Sequence, residues 1–211
     1  MKSDRPATVF LIDDDASVRR GLTRLIQSAG HQVQSFASAR EFLESDFQTG
    51  GPACLVLDVR MPGLSGLDLQ AELQAANVIL PIIFITGHGN IPMSVTAMKT
   101  GAVDFLTKPV QDTVLLRSVN EALARAEREG AERAEIEIIR GRADTLTPRE
   151  REVMALVVKG LRNKQIASEL GTVEKTIKVH RARVMEKMRV GSVAELVGVA
   201  EKIGIPPKSV L

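Results

Sequence analysis

The chain has 211 residues, one cysteine, no Trp or Tyr, and a net charge of +2 that conceals an acidic front (residues 1–123, −3), a neutral middle (124–143) and a basic back (144–211, +5). That length favours two domains and the charge split favours two jobs, while the lone Cys54 excludes an internal disulfide or a cysteine metal cluster and the scarcity of aromatics argues against a base-stacking surface of the single-strand-binding kind. No apolar run reaches the roughly eighteen residues of a membrane span and MKSDRPA lacks a signal-peptide core, so the expectation is a cytoplasmic protein with no membrane partner.

Along the front segment short apolar runs alternate with amphipathic stretches, the pattern of a parallel sheet wrapped by helices. Strands are predicted at Thr8 to Ile12, Gln32 to Phe36, Cys54 to Leu57, Ile82 to Thr86 and Asp104 to Leu106. Helices are predicted at Ala16 to Ala29, Ala39 to Asp46, Ser65 to Ala76, Ile91 to Thr100, and from about Asp112 onward. This series fits a flavodoxin-like (βα)5 domain over residues 1–123. Residues 124–143 interleave charges of both signs and read as a helical linker extending the fifth helix, loosened at Gly130 and Gly141; a disordered tether is the alternative. From 144 to 211 four short helices are expected: one opened by Thr147-Pro148 with Glu150 completing a capping box, Asn163 to Leu170 stopped by Gly171, about Thr172 to Met188, and Val193 to Ile203. Short helices around a Gly-containing turn suggest helix-turn-helix.

Side chains at the carboxyl ends of parallel strands meet in one crevice although distant in sequence. There lie Asp13-Asp14-Asp15 after strand one, Asp58 closing strand three, Thr86 closing strand four with His88 in the loop beyond, and Lys108 after strand five. Each has a plain structural reading: Asp15 or Ser17 as a helix cap, Asp58 as a turn residue, Lys108 as a surface charge. Together, at four equivalent strand ends, they point to chemistry. Three converging carboxylates repel one another unless a cation sits between them, and an all-oxygen set with room for water points to Mg2+.

VFLIDDD, LVLDVRMPG, FITGHG and DFLTKP, in this order and spacing, resemble the receiver domain of bacterial two-component response regulators. The resemblance implies that Asp58 is the phosphoacceptor, that Asp13, Asp14, Asp58 and the backbone carbonyl of Arg60 hold magnesium, and that Thr86 and Lys108 engage the phosphoryl group. It further implies that Phe105 changes rotamer on activation and that the donor is a phosphohistidine on a sensor histidine kinase. An ordinary core aromatic is the other reading of Phe105. Aspartate-based phosphohydrolases carry a second Asp two residues beyond the nucleophile; here that position is Arg60, so a long-lived phosphorylated state is expected rather than an enzyme's turnover.

In TVEKTIKVHRARVMEKM the helical period puts Val173, Ile177, Val184 and Met188 on one face with His180 beside them, and Lys175, Lys178, Val179, Ala182 and Arg183 on another. With Leu146 to Met188 carrying the motif, the chain over about residues 145–207 resembles the helix-turn-helix domain of LuxR-type and FixJ-type regulators, and the two domains in this order resemble the FixJ/NarL family, close to its nitrogen-fixation and styrene-regulator branch. By that resemblance Lys178 and Val179 face the major groove of double-stranded DNA, and Arg181 and Arg183 contact its backbone. Ala182 departs from the family's frequent basic residue and offers a methyl contact instead. Asn163, Lys164 and Lys175 are expected on phosphates. The expected function is a phosphorylation-activated transcription regulator acting as a phosphorylation-promoted homodimer with RNA polymerase. Two alternatives are a magnesium-dependent aspartyl phosphatase with a DNA tether and a pseudo-receiver that is never phosphorylated.

Overall fold

Alternation of side chains along five short strands builds the first unit. The computed structural model describes residues 7–47, 50–87 and 91–205, so His88 lies outside the described residues. Strands β1 (Thr8–Ile12), β2 (Gln32–Phe36), β3 (Ala53–Asp58), β4 (Ile82–Thr86) and β5 (Asp104–Thr107) form one parallel sheet in the order β2-β1-β3-β4-β5. Helices α1 (Ala16–Ser28), α2 (Ala39–Glu44), α3 (Gly66–Ala75), α4 (Ile91–Lys99) and α5 (Asp112–Asp144) supply the crossovers, giving the flavodoxin-like topology. One sheet face packs Phe10, Ile12, Leu55, Leu57 and Phe84 against Phe42, Leu69 and Leu73; the other packs Val9, Leu11, Cys54, Val56, Ile83 and Ile85 against Ile26, Leu115 and Val119. A two-sided core of this kind is why β3 and β4 read as unbroken apolar runs. Cys54 is fully buried, and burial pushes its thiol up to about 12, so it is a core residue and not a reactive one.

The chain divides into two units, Met1–Gly130 and Ala131–Leu211. Both Gly130 and Gly141 fall within helix α5. A glycine costs a helix only about 1 kcal/mol, and the Arg125–Glu129 and Arg140–Glu137 pairs, at 2.7 and 2.9 Å, support the turns around them. Residues 131–143, read as linker from sequence, fall in the second unit, where Ile139 is buried in the core.

The rest of that unit is four helices, α6 (Pro148–Val158), α7 (Asn163–Glu169), α8 (Glu174–Met188) and α9 (Val193–Lys202). Thr147 and Glu150 form the capping box at the start of α6, with Pro148 in the first turn. Val153, Met154, Val157, Ile166, Ile177, Val184, Met188, Leu196 and Ala200 make the core. Val173 departs from expectation: it is 65% exposed because it is the extended N-cap residue of α8, and the helical period does not begin until Glu174. Glu150 is buried and accepts a hydrogen bond from Lys187 Nζ at 2.6 Å; that ammonium, with the backbone N–H of Thr147, holds its carboxyl down at about 2. The pair ties the end of α8 to the start of α6.

Candidate functional site

Register decides which strand ends meet. Ile12 of β1 pairs with Leu57 of β3, so Asp13 and Asp58 leave the sheet side by side. Asp58 aligns with Ile85, and Thr86 with Thr107, which sets Lys108 beyond the next strand end. Lys108 then turns back: its N–H donates to Thr86 O at 2.8 Å, and its Nζ donates to Asp13 Oδ2 at 2.6 Å and Asp58 Oδ2 at 2.5 Å. Asp13, Thr86 and Asp58 are 0, 0 and 5% exposed, so this is a buried floor beneath an accessible rim formed by Asp14 and Arg60.

Burial pushes the Asp13 carboxyl up, against the opposing pull of the Lys108 hydrogen bond and the Asp15 N–H. Burial also opposes the charge on Lys108, but hydrogen bonds to Asp13 and Asp58 outweigh it and raise the ammonium's pKa. The remaining oxygens are placed by backbone: Asp15 N–H donates to Asp13 Oδ1 at 2.9 Å and Arg60 N–H to Asp58 Oδ1 at 3.0 Å.

Asp13, Asp14 and Asp58 each offer an oxygen within 4.8 Å of the others, and two of the three carboxylates are held in place by the fold. Each hydrogen-bonded carboxylate oxygen still has a second lone pair. The donor set therefore fits a hard divalent cation.

Phe105 is half-buried, its ring centroid 6.2 Å from that of Phe84, at the margin of the core on the α4 side. Two residues escaped the sequence reading. Gly66 opens α3, and a Cβ there would stand 2.3 Å from the carbonyl oxygen of Asp58. Arg19 reaches from α1 to the carbonyls of Asp13 and Asp14. Both contacts are short-range along the chain, but no residue type or spacing announces them, because each depends on how a helix start folds back on a strand end.

In the second unit Ile177, Val184 and Met188 of α8 are buried. Lys175, Lys178, Val179, Ala182 and Arg183 are exposed on the opposite side, as is Lys164 of α7. Lys178 lies 3.7 Å from Glu174, one turn earlier, a solvent-exposed pairing that constrains it little. Arg181 is half-buried and donates from Nη1 to Asn163 Oδ1 at 2.9 Å, linking α8 to the first residue of α7. His180 sits on the flank, its Nδ1 buried without a hydrogen-bond partner among the described residues. Between the two helices Gly171 takes φ +63°, the left-handed turn that glycine permits. Arg149 Nη2 donates to Leu170 O at 2.5 Å just ahead of it.

Residues 9–120 match the response regulator receiver domain family and residues 144–200 match the family of bacterial regulatory proteins of the luxR type. The chain is a two-component response regulator. It is 51% identical over 94% of its length to Nodulation protein W of Bradyrhizobium diazoefficiens, covering 87% of that protein. It is 43% identical over 93% of its length to the Transcriptional regulatory protein FixJ of the same organism, covering 96% of that one. Among solved structures, the response regulator StyR matches with TM-score 0.82 and 46% identity, over 93% of this chain and 99% of that one. These relatives put the response regulator in the FixJ/NarL branch. It is a phosphorylation-activated, DNA-binding transcription regulator, and neither the phosphatase nor the pseudo-receiver alternative is favoured. Among the described residues no helix is long and apolar enough to cross a membrane.

Proposed function

We propose that Asp58 is the phosphoacceptor and that Asp13, Asp14, Asp58 and the Arg60 carbonyl hold magnesium. The observation that carries this reading is the Lys108 ammonium bridging Asp13 and Asp58, which brings three strand ends to one point. Bound magnesium supplies neutralisation of phosphoryl oxygen charge. The chain's own groups do the rest. An Asp58 carboxylate oxygen attacks phosphorus, the P–N bond to the kinase's histidine breaks, and the imidazole leaves with its electron pair. Lys108 keeps its place beside Asp58 and balances charge on the transferred group. Arg60 supplies no second carboxylate to activate water, which favours slow loss of the phosphoryl group.

The acyl phosphate adds about −1.5 to −2 charge units and new acceptor oxygens. Thr86 bonds one of them and Phe105 turns inward, a coupling supported by the burial of Thr86 and the half-buried position of Phe105. The association face for a homodimer is the α4–β5–α5 side, where Val95 and Met98 are 44 and 47% exposed. In the second domain Lys178 and Val179 read the major groove. Asn163, Lys164, Lys175, Arg181 and Arg183 meet the phosphate backbone, and the Arg181–Asn163 hydrogen bond braces α8 against α7. The dimer acts in the cytoplasm with RNA polymerase.

Incubation with acetyl phosphate, with and without magnesium, tests the reading by intact mass. One phosphoryl group gained only with magnesium, lost in Asp58→Asn, and accompanied by a rise in molecular mass in solution, is the expected result. Labelling that survives Asp58→Asn overturns it.

A further inference from the structure

We infer that Arg19 is a positioning residue for the acidic loop, setting the direction of the Asp14 carboxylate by gripping the two carbonyls on either side of it. The inference rests on the proposed magnesium site and assigns that site a determinant outside its ligands.

Asp13 is heavily constrained. Its N–H donates to Phe36 O at 3.3 Å, its Oδ1 accepts from Asp15 N–H and its Oδ2 from Lys108 Nζ. Asp15 is engaged too, its Oδ1 capping α1 by accepting from Ser17 and Val18 N–H at 2.7 and 3.3 Å. Asp14 lies between them, exposed, and the carboxylate cluster includes it all the same. The direction in which its Cα–Cβ bond leaves the chain is set by its backbone dihedrals, and so by the peptide planes before and after its Cα.

Arg19 holds both planes. Its Nη1 donates to Asp13 O at 2.6 Å and to Asp14 O at 2.9 Å, the first carbonyl belonging to the plane before Asp14 and the second to the plane after it. Arg19 is itself anchored, its N–H donating to Asp15 O at 2.9 Å in the first turn of α1. Among the described residues no carboxylate lies within ion-pair distance of its guanidinium, so its polar contacts run to backbone. Both bonds leave the single nitrogen Nη1, whose two N–H donors are fixed in the guanidinium plane; a lysine keeps the charge but carries freely rotating donors on a shorter side chain. Groups that orient metal ligands in this way typically affect metal affinity by about 10- to 100-fold.

Electrostatics alone predicts the opposite sign, because deleting a cation beside a cation site strengthens binding. The sign of the effect therefore separates the two accounts. The test is magnesium affinity of the full-length protein by calorimetric titration, for wild type, Arg19→Ala, Arg19→Lys, Asp14→Asn and the Arg19→Ala/Asp14→Asn double variant. Thermal midpoints are measured without metal, and Arg19→Lys carries the comparison should the alanine variant not fold. The expected result is affinity weakened about 10-fold or more in Arg19→Ala, a smaller loss in Arg19→Lys, and no further loss when Arg19→Ala is added to Asp14→Asn. Unchanged or tighter binding in Arg19→Ala, or an equal loss on the Asp14→Asn background, overturns the inference. Failure of the wild type to bind magnesium at all instead overturns the proposed site.

Discussion

Gly66→Ala is a severe test of how the proposed phosphoacceptor is held. A Cβ at this position meets the Asp58 carbonyl oxygen at 2.3 Å, and Leu57 Cγ and Val59 Cα at 3.1 Å each. Two of these three neighbours are backbone, so no side-chain rotation removes the clash. Reaching ordinary contact at 3.4 Å requires α3 and the end of β3 to separate by about 1 Å. Gly66 N–H donates to Val59 O at 3.0 Å, so that separation also strains the bond that seats α3 on the strand end. Overpacking of this kind costs about 1–3 kcal/mol, more than the gain of up to about 1 kcal/mol expected from replacing glycine in the unfolded chain. A shift of about 1 Å at a reacting group can cost about 100-fold in rate. The expectation is slower acetyl phosphate labelling together with a lower urea midpoint. Gly21→Ala is the control: a Cβ there meets nothing within 4 Å, and the variant should match or exceed wild-type stability at unchanged labelling rate. If Gly66→Ala labels at the wild-type rate and unfolds at the wild-type midpoint, the close approach does not position Asp58.

Acid should weaken the second unit in a defined window. The Glu150 carboxyl is held down from 4.5 to about 2, so its contribution is complete above pH 4.5 and disappears as pH falls through about 2. Glu150→Gln should flatten urea midpoints of the α6–α8 amides over that range, and an unchanged acid slope in the variant would show that the Lys187 pair contributes nothing. On DNA selected by the protein from a random pool, Lys164→Ala should weaken all sequences alike and reduce the salt slope by about one. Val179→Ala should relax preference at one base position and leave the salt slope unchanged; the reverse pattern would exchange their roles.

Much of the architecture was legible in the residues because local patterns carried it. The apolar runs around Cys54 to Leu57 and Ile82 to Ile85 announced two-sided burial, and Thr147-Pro148 with Glu150 announced the start of α6. Asp13, Asp58, Thr86 and Lys108 stood out because strand ends in a parallel sheet share an edge, whatever their separation along the chain. Periodicity failed where helix geometry had not yet begun, at Val173, while Gly130 and Gly141 lie inside the helical extension that the interleaved charges announced.

The sequence by itself determined which elements form and which residues stand at the strand ends, because side-chain burial patterns and turn chemistry act over a few neighbouring positions. Only the tertiary structure decided that Lys108 touches Asp13 and Asp58 together, that Gly66 lies against the Asp58 carbonyl, and that Arg19 bonds the carbonyls around Asp14. Those contacts depend on strand register and on where helix starts fall across the sheet edge. Both are properties of packed backbone in three dimensions, and residue type and spacing do not announce them even where, as at Arg19 and Gly66, the partners are only five to eight residues apart.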